Sequence, residues 1–143
     1  MSNPERYPFI CADTSLGEAG FRPYLPITLV YQQRSVKILG LLDTGATVNV
    51  LPYQIGVDLG YDWERQTTAL NLTGNLAQYE ARVVILRVAI GQFEPVQQVF
   101  AWTQATTVPL ILGQVNFFME FNVCFYRSQL YFEVSPKAKT SNK

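Results

Sequence analysis

The sequence contains no histidine. That absence excludes the Ser-His and Cys-His pairs on which most nucleophilic hydrolases depend. With only two cysteines, Cys11 and Cys124, the chain also lacks the imidazole and thiolate ligands that a zinc site needs. No metal and no organic cofactor is expected, and an enzyme made from this chain would draw its acid and base from carboxylates. The cysteines show no C-x-x-C spacing and read as two free, partly buried thiols. Charge bias is missing too: 11 basic and 11 acidic residues cancel, which removes the electrostatic reason to expect nucleic acid or an anionic membrane as partner. No apolar run approaches the ~18 residues of a membrane span. The opening "MSNPERYPFI" carries Pro, Glu and Arg where a secretory leader needs an apolar stretch. A soluble, cytoplasmic protein is expected, with a partner recognised by shape and hydrogen bonds.

What is present is apolar and aromatic. At 48% hydrophobic and 13% aromatic content, 143 residues suffice for one domain with a real core. Residues 1–22 mix Pro, Gly and charge without a period and read as an N-terminal arm. From Leu25, "LPITLVYQQ" and "RSVKILGLLD" form two apolar runs about a polar turn, a predicted hairpin. "LPYQIGVDLGYDW" suits a helix of about two turns. "QTTALNLTGNLAQYEARVVILRVAIG" reads as two strands folded at Thr73–Asn75, the second running from about Leu76 to Ile90. "PVQQVFAW" and "VPLIL" add strands, "GQVNFFMEF" holds a short helix, and "FNVCFYRSQLYFEV" alternates as a closing hairpin. Residues 135–143 read as a solvated tail, which leaves 23–134 as the domain. Short strands with frequent turn signals favour an all-β barrel or sandwich. Trp63, Trp102, Phe117, Phe118 and Tyr131 read as core or contact surface, Arg82 and Arg87 as outward charges, and Gln78 as a solvated hairpin residue.

One feature resists a purely structural account. "GLLDTGATVNVLP" places a carboxylate, Asp43, at the inner end of an apolar strand and follows it with Thr44 and Gly45. Thr44 can bond locally and Gly45 permits close backbone approach, so the triplet is suited to holding a carboxylate in a tight loop. Alone it is a weak signal, since chance supplies D-T-G in about 2% of chains this long. Its context is more telling: an apolar run before it, Ala46 after it, a hairpin with a glycine near its tip, then "LILG", Leu110 to Gly113, leading into a helix-like segment.

That order resembles the retropepsins, the single-domain aspartic proteases of retroviruses and their cellular and bacterial relatives, over about Arg22 to Val134. The resemblance implies an all-β closed barrel with one or two short helices that works as a homodimer on a peptide or protein substrate. It implies catalytic roles for the Asp43-Thr44-Gly45 loop, with Thr44 bonding across the dimer axis. Ala46, Thr47, Thr73, Gly74 and Asn75 would lie against the substrate, and Leu112 and Gly113 would support the active loop. The chemistry makes a matching demand, because water activation by this route needs two carboxylates, one as base and one as acid. The chain has a single D-T-G. Asp13-Thr14-Ser15 is a decoy, with Ser where Gly is needed and no second apolar-apolar-Gly element to support it. Two departures stand out: Thr47 and Gln114 occupy positions where viral enzymes carry an Asp–Arg ion pair, and the hairpin has one glycine against several. These leave room for a catalytically weak dimeric peptide-binding or scaffolding module, and an accidental D-T-G in a monomeric carrier is the third reading.

Overall fold

The computed structural model describes residues 3–138. Among them twelve strands form: β1 (Glu5–Pro8), β2 (Ile10–Cys11), β3 (Phe21–Arg22), β4 (Tyr24–Tyr31), β5 (Arg34–Leu42), β6 (Val50–Leu51), β7 (Ala69–Leu70), β8 (Ala81–Ala89), β9 (Val96–Thr103), β10 (Leu110–Leu112), β11 (Phe121–Tyr126) and β12 (Tyr131–Pro136). Two short helices accompany them, α1 (Tyr53–Asp58) and α2 (Phe117–Glu120). The largest sheet runs β4-β5-β10-β6-β9-β8-β7, and β4 also pairs with β8, so six of its strands close into a barrel. Closure leaves those six strands without free edges. A second sheet, β1-β12-β11, packs beside the barrel, and β2 and β3 form a small ladder.

Alternation explains the barrel interior, because side chains two apart along a strand share a face. Leu25, Ile27 and Leu29 on β4, Val84, Leu86 and Val88 on β8, and Phe100 and Trp102 on β9 are buried together. Trp102 is the centre of an aromatic group: Tyr53 of α1 stacks on it at 5.6 Å and Trp63 meets it edge-on at 5.0 Å. Its indole N–H donates to the Tyr53 carbonyl at 3.0 Å, which satisfies the polar atom that burial would otherwise strand. Phe117 is wholly buried, Phe118 packs partly against the core, and Tyr131 is half-buried.

The structure corrects several sequence expectations. Residues 5–8, read as part of an irregular arm, pair antiparallel with β12, Glu5 opposite Val134. Ser135 and Pro136, assigned to the tail, are the last residues of β12; positions 139–143 of that tail lie outside the described residues. The strand expected from about Leu76 begins at Ala81, and the connection from β7 is a ten-residue segment, 71–80, with a single-turn 3-10 helix at Gly74–Leu76. Leu72 explains the longer path: it turns inward and is buried in a satellite cluster with Val50, Ala81 and Ala101. Both cysteines are exposed thiols. Arg87 is exposed as expected, whereas Arg82 folds back, its guanidinium 4.5 Å from the Trp63 ring and donating to the Trp63 carbonyl and to Glu80. Among the described residues no helix is long and apolar enough to cross a membrane.

Candidate active site

β10 explains where the carboxylate goes. It pairs parallel with β5 on one side, Leu112 opposite Leu42, and antiparallel with β6 on the other, Ile111 opposite Val50. The segment 43–49 joins β5 to β6 and must therefore cross the end of β10. Asp43 is the first residue of that crossing, and its amide donates to the Leu112 carbonyl at 3.1 Å. The apolar run before it is the barrel wall, and the aspartate stands where the wall stops.

The loop then turns on itself. Gly45 N–H donates to Asp43 Oδ1 at 2.9 Å, and Ala46 N–H donates to the Asp43 carbonyl at 3.1 Å. The first of these occupies one carboxylate oxygen, while Oδ2 has no hydrogen-bond partner among the described residues. Asp13 makes the same kind of turn with Ser15 but differs in consequence. Its Oδ1 accepts from both the Ser15 hydroxyl and the Ser15 amide, caps a 3-10 segment, and lies exposed. Those bonds, the Ser15 hydroxyl's first, hold the Asp13 carboxyl below its ordinary value.

The turn after β10 clamps the crossing from below. Gln114 N–H donates to the Ala46 carbonyl at 2.9 Å, Val115 N–H to the Thr47 carbonyl at 2.8 Å, and the Gln114 side chain to the Thr44 carbonyl. Gln114 thus ties the loop through a neutral amide at the position where an ion pair was anticipated to be missing. Gly113 lies under the crossing at such close range that an added Cβ would stand 2.4 Å from the Val48 carbonyl oxygen. Leu112 and Gly113 are buried and do not face the cleft described next.

A cleft of about 460 Å³ opens in front of Asp43. Asp43, Gly45, Ala46 and Thr47 line one side and Thr73, Gly74 and Asn75 the other, so seven of the residues singled out in the sequence meet here. Thr44 is exposed and is not part of the lining. Between the two sides, Val48, Val50, Leu70, Leu72, Leu76 and Ile111 form an apolar floor. Among the residues that line the cleft, Asp43 alone is ionisable.

The three buried polar residues among those described, Asn49, Gln98 and Thr103, escaped the sequence reading, and the first two meet beneath the loop. Asn49, wholly buried, accepts from Gly113 N–H through Oδ1 at 2.8 Å and donates through Nδ2 to Gln98 Oε1 at 2.6 Å. Its own amide donates to Asn116 Oδ1 at 2.8 Å, and its carbonyl accepts from Ala101 N–H at 2.9 Å. A signal was available in "VQQVF": strand alternation places Gln98 in phase with Phe100 and Trp102, hence inside the barrel.

A closed barrel whose wall ends in a glycine-clamped aspartate, facing a hairpin across an apolar cleft, is the architecture of a retropepsin-like aspartic protease. The chain belongs to the aspartyl protease family, whose model matches residues 31–115, the span from the β4–β5 turn through the clamp. Among solved structures it is similar to a retropepsin-like aspartic protease from Rickettsia conorii, with a TM-score of 0.62 and 18% identity over 93% of this chain and 99% of that one. At that identity the likeness is one of fold. No curated protein matches the chain.

Proposed function

We propose that the protein is an aspartic endopeptidase whose active site forms when two copies bring their Asp43 carboxylates together. The observation that carries this reading is the cleft's single ionisable group, presented with one oxygen fixed by Gly45 and the other unoccupied by protein. One carboxylate cannot act as base and acid in the same step, and two at short range share a proton because both cannot readily ionise. In the composite site the ionised carboxylate takes a proton from water, the oxygen attacks the scissile carbonyl, and the protonated carboxyl gives its proton to the carbonyl oxygen. Proton return to the amide nitrogen then breaks the C–N bond. The peptide lies extended between the 43–47 loop and the 71–80 segment, adding strand-like hydrogen bonds. The apolar floor favours aliphatic or aromatic side chains next to the scissile bond.

The test is cleavage of a peptide library by the wild-type protein and by Asp43→Asn, with sedimentation of both. The expected result is cleavage by a dimeric wild type and none by a dimeric Asp43→Asn. Equal cleavage by both removes Asp43 from the chemistry, and cleavage by a strict monomer removes the shared site.

A further inference from the structure

Four groups meet at Asn49, and two of them, Gln98 Oε1 and Ala101 N–H, belong to β9, outside the crossing loop and its clamp; of these two only Gln98 acts through its side chain. Gly113 N–H can only donate, so it fixes Asn49 Oδ1 toward β10 and turns Nδ2 toward β9. Nδ2 can only donate in turn, which fixes Gln98 with Oε1 facing Asn49. The Gln98 Nε2 is left buried with no hydrogen-bond partner among the described residues. A barrel wall that carries Leu86 opposite and Phe100 and Trp102 in phase would be better filled by an apolar side chain, so the glutamine opposes packing at its own position.

We propose that Gln98 and Asn49 are positioning residues for the Asp43 loop, a relay that ties the centre of β9 to the point where the active loop crosses β10. Gln98 holds Asn49, Asn49 holds Gly113, and the 113–115 turn holds Ala46 and Thr47 through its amides, so the height of Asp43 above the barrel is referred to the wall behind it. Neither Asn49 nor Gln98 lines the cleft. Loss of the relay should therefore misplace the carboxylate while leaving peptide binding nearly unchanged. The proposal rests on the peptidase reading above.

The experiment compares wild type, Gln98→Met and Gln98→Glu by steady-state cleavage of a peptide found in the library, and by hydrogen exchange at the Gly113 amide in 15N-labelled protein. In Gln98→Met the volume is kept and the acceptor lost. The expected outcome is faster Gly113 exchange with kcat down by on the order of 10- to 100-fold and KM within about twofold. Gln98→Glu keeps an oxygen for Asn49, and burial keeps that carboxyl protonated in mild acid, so there it should recover most of kcat. Unchanged Gly113 exchange in Gln98→Met overturns the relay, and so does faster exchange with wild-type kcat. A loss of kcat matched by an equal rise in KM, or a Gln98→Glu variant as impaired as Gln98→Met in acid, overturns the positioning role. A wild type that cleaves nothing refutes the peptidase reading and this proposal together, whereas Gln98→Met with wild-type kcat beside an active wild type refutes this proposal alone.

Discussion

At Gly113 a side chain of any size meets backbone: a Cβ would lie 2.4, 2.6 and 2.9 Å from the carbonyl oxygen, carbonyl carbon and nitrogen of Val48. No rotamer change relieves such a contact, so the crossing loop itself would have to rise, straining the bonds from Gly113, Gln114 and Val115 to that loop. Gly113→Ala should lower stability by about 2–4 kcal/mol in urea unfolding and abolish cleavage. Gly74 is a different case. Its φ of +65° is what a glycine supplies, and nothing lies within 4 Å of an added Cβ. Gly74→Ala should cost only about 1 kcal/mol, from backbone strain alone, measured by the same unfolding assay. If the two variants lose equal stability, close packing under the loop is not what holds it. The identity of both glycines was visible in the sequence, but the two reasons were not, because one depends on a strand pairing and the other on a dihedral.

At the scale of elements, the span from Tyr61 to β8 shows how a loop is fastened to the barrel. The Tyr61 hydroxyl donates to the Ile85 carbonyl, and its ring stacks on Tyr31 at 4.0 Å. Burial, reinforced by Tyr31, pushes the Tyr61 phenol above its ordinary value of 10. The folded state therefore holds the proton more tightly than the unfolded chain. That contribution is fully present below pH 10 and is lost as pH rises beyond it. Melting temperature should be level from pH 8 to about 10 and then fall, with Tyr61→Phe less stable by about 1 kcal/mol at neutral pH yet falling less steeply in alkali. An identical alkaline slope in both would place the titration elsewhere. Tyr7, whose phenol is raised by burial and by its hydrogen bond to Glu5, adds to the same decline. Elements with their own alternation, such as β4, β9 and the β11–β12 hairpin, were legible from the chain because burial imprints period 2 on each strand. β1 was not: its partner lies at the far end of the chain, with Glu5 opposite Val134, and Pro4 and Pro8 mask so short a strand. The 71–80 segment was misread for a related reason, since its turn residues are local but the burial of Leu72 depends on Val50, Ala81 and Ala101.

For the whole molecule the decisive quantity is the number of carboxylates per cleft. One folded chain supplies one, and the nearest sequence look-alike, Asp13, is exposed and committed to capping. A site completed by a second copy makes a quantitative demand that a one-chain site does not. If subunits exchange freely, active dimers scale with the square of the wild-type fraction, because a mixed pair has one Asp43 and one Asn. Mixing equal amounts of wild type and Asp43→Asn should therefore reduce activity per wild-type chain to roughly half, and a ninefold excess of the variant to roughly one tenth. Dilution of wild type alone should lower specific activity once the dimer begins to dissociate. The measurement is cleavage rate against mixing ratio after an incubation long enough for exchange, with sedimentation to show that mixed dimers have formed. A rate that follows the amount of wild type alone, while mixed dimers are present, would mean that each chain carries a complete site. Asp43 would then need an acid partner from within its own subunit, which the cleft lining does not provide.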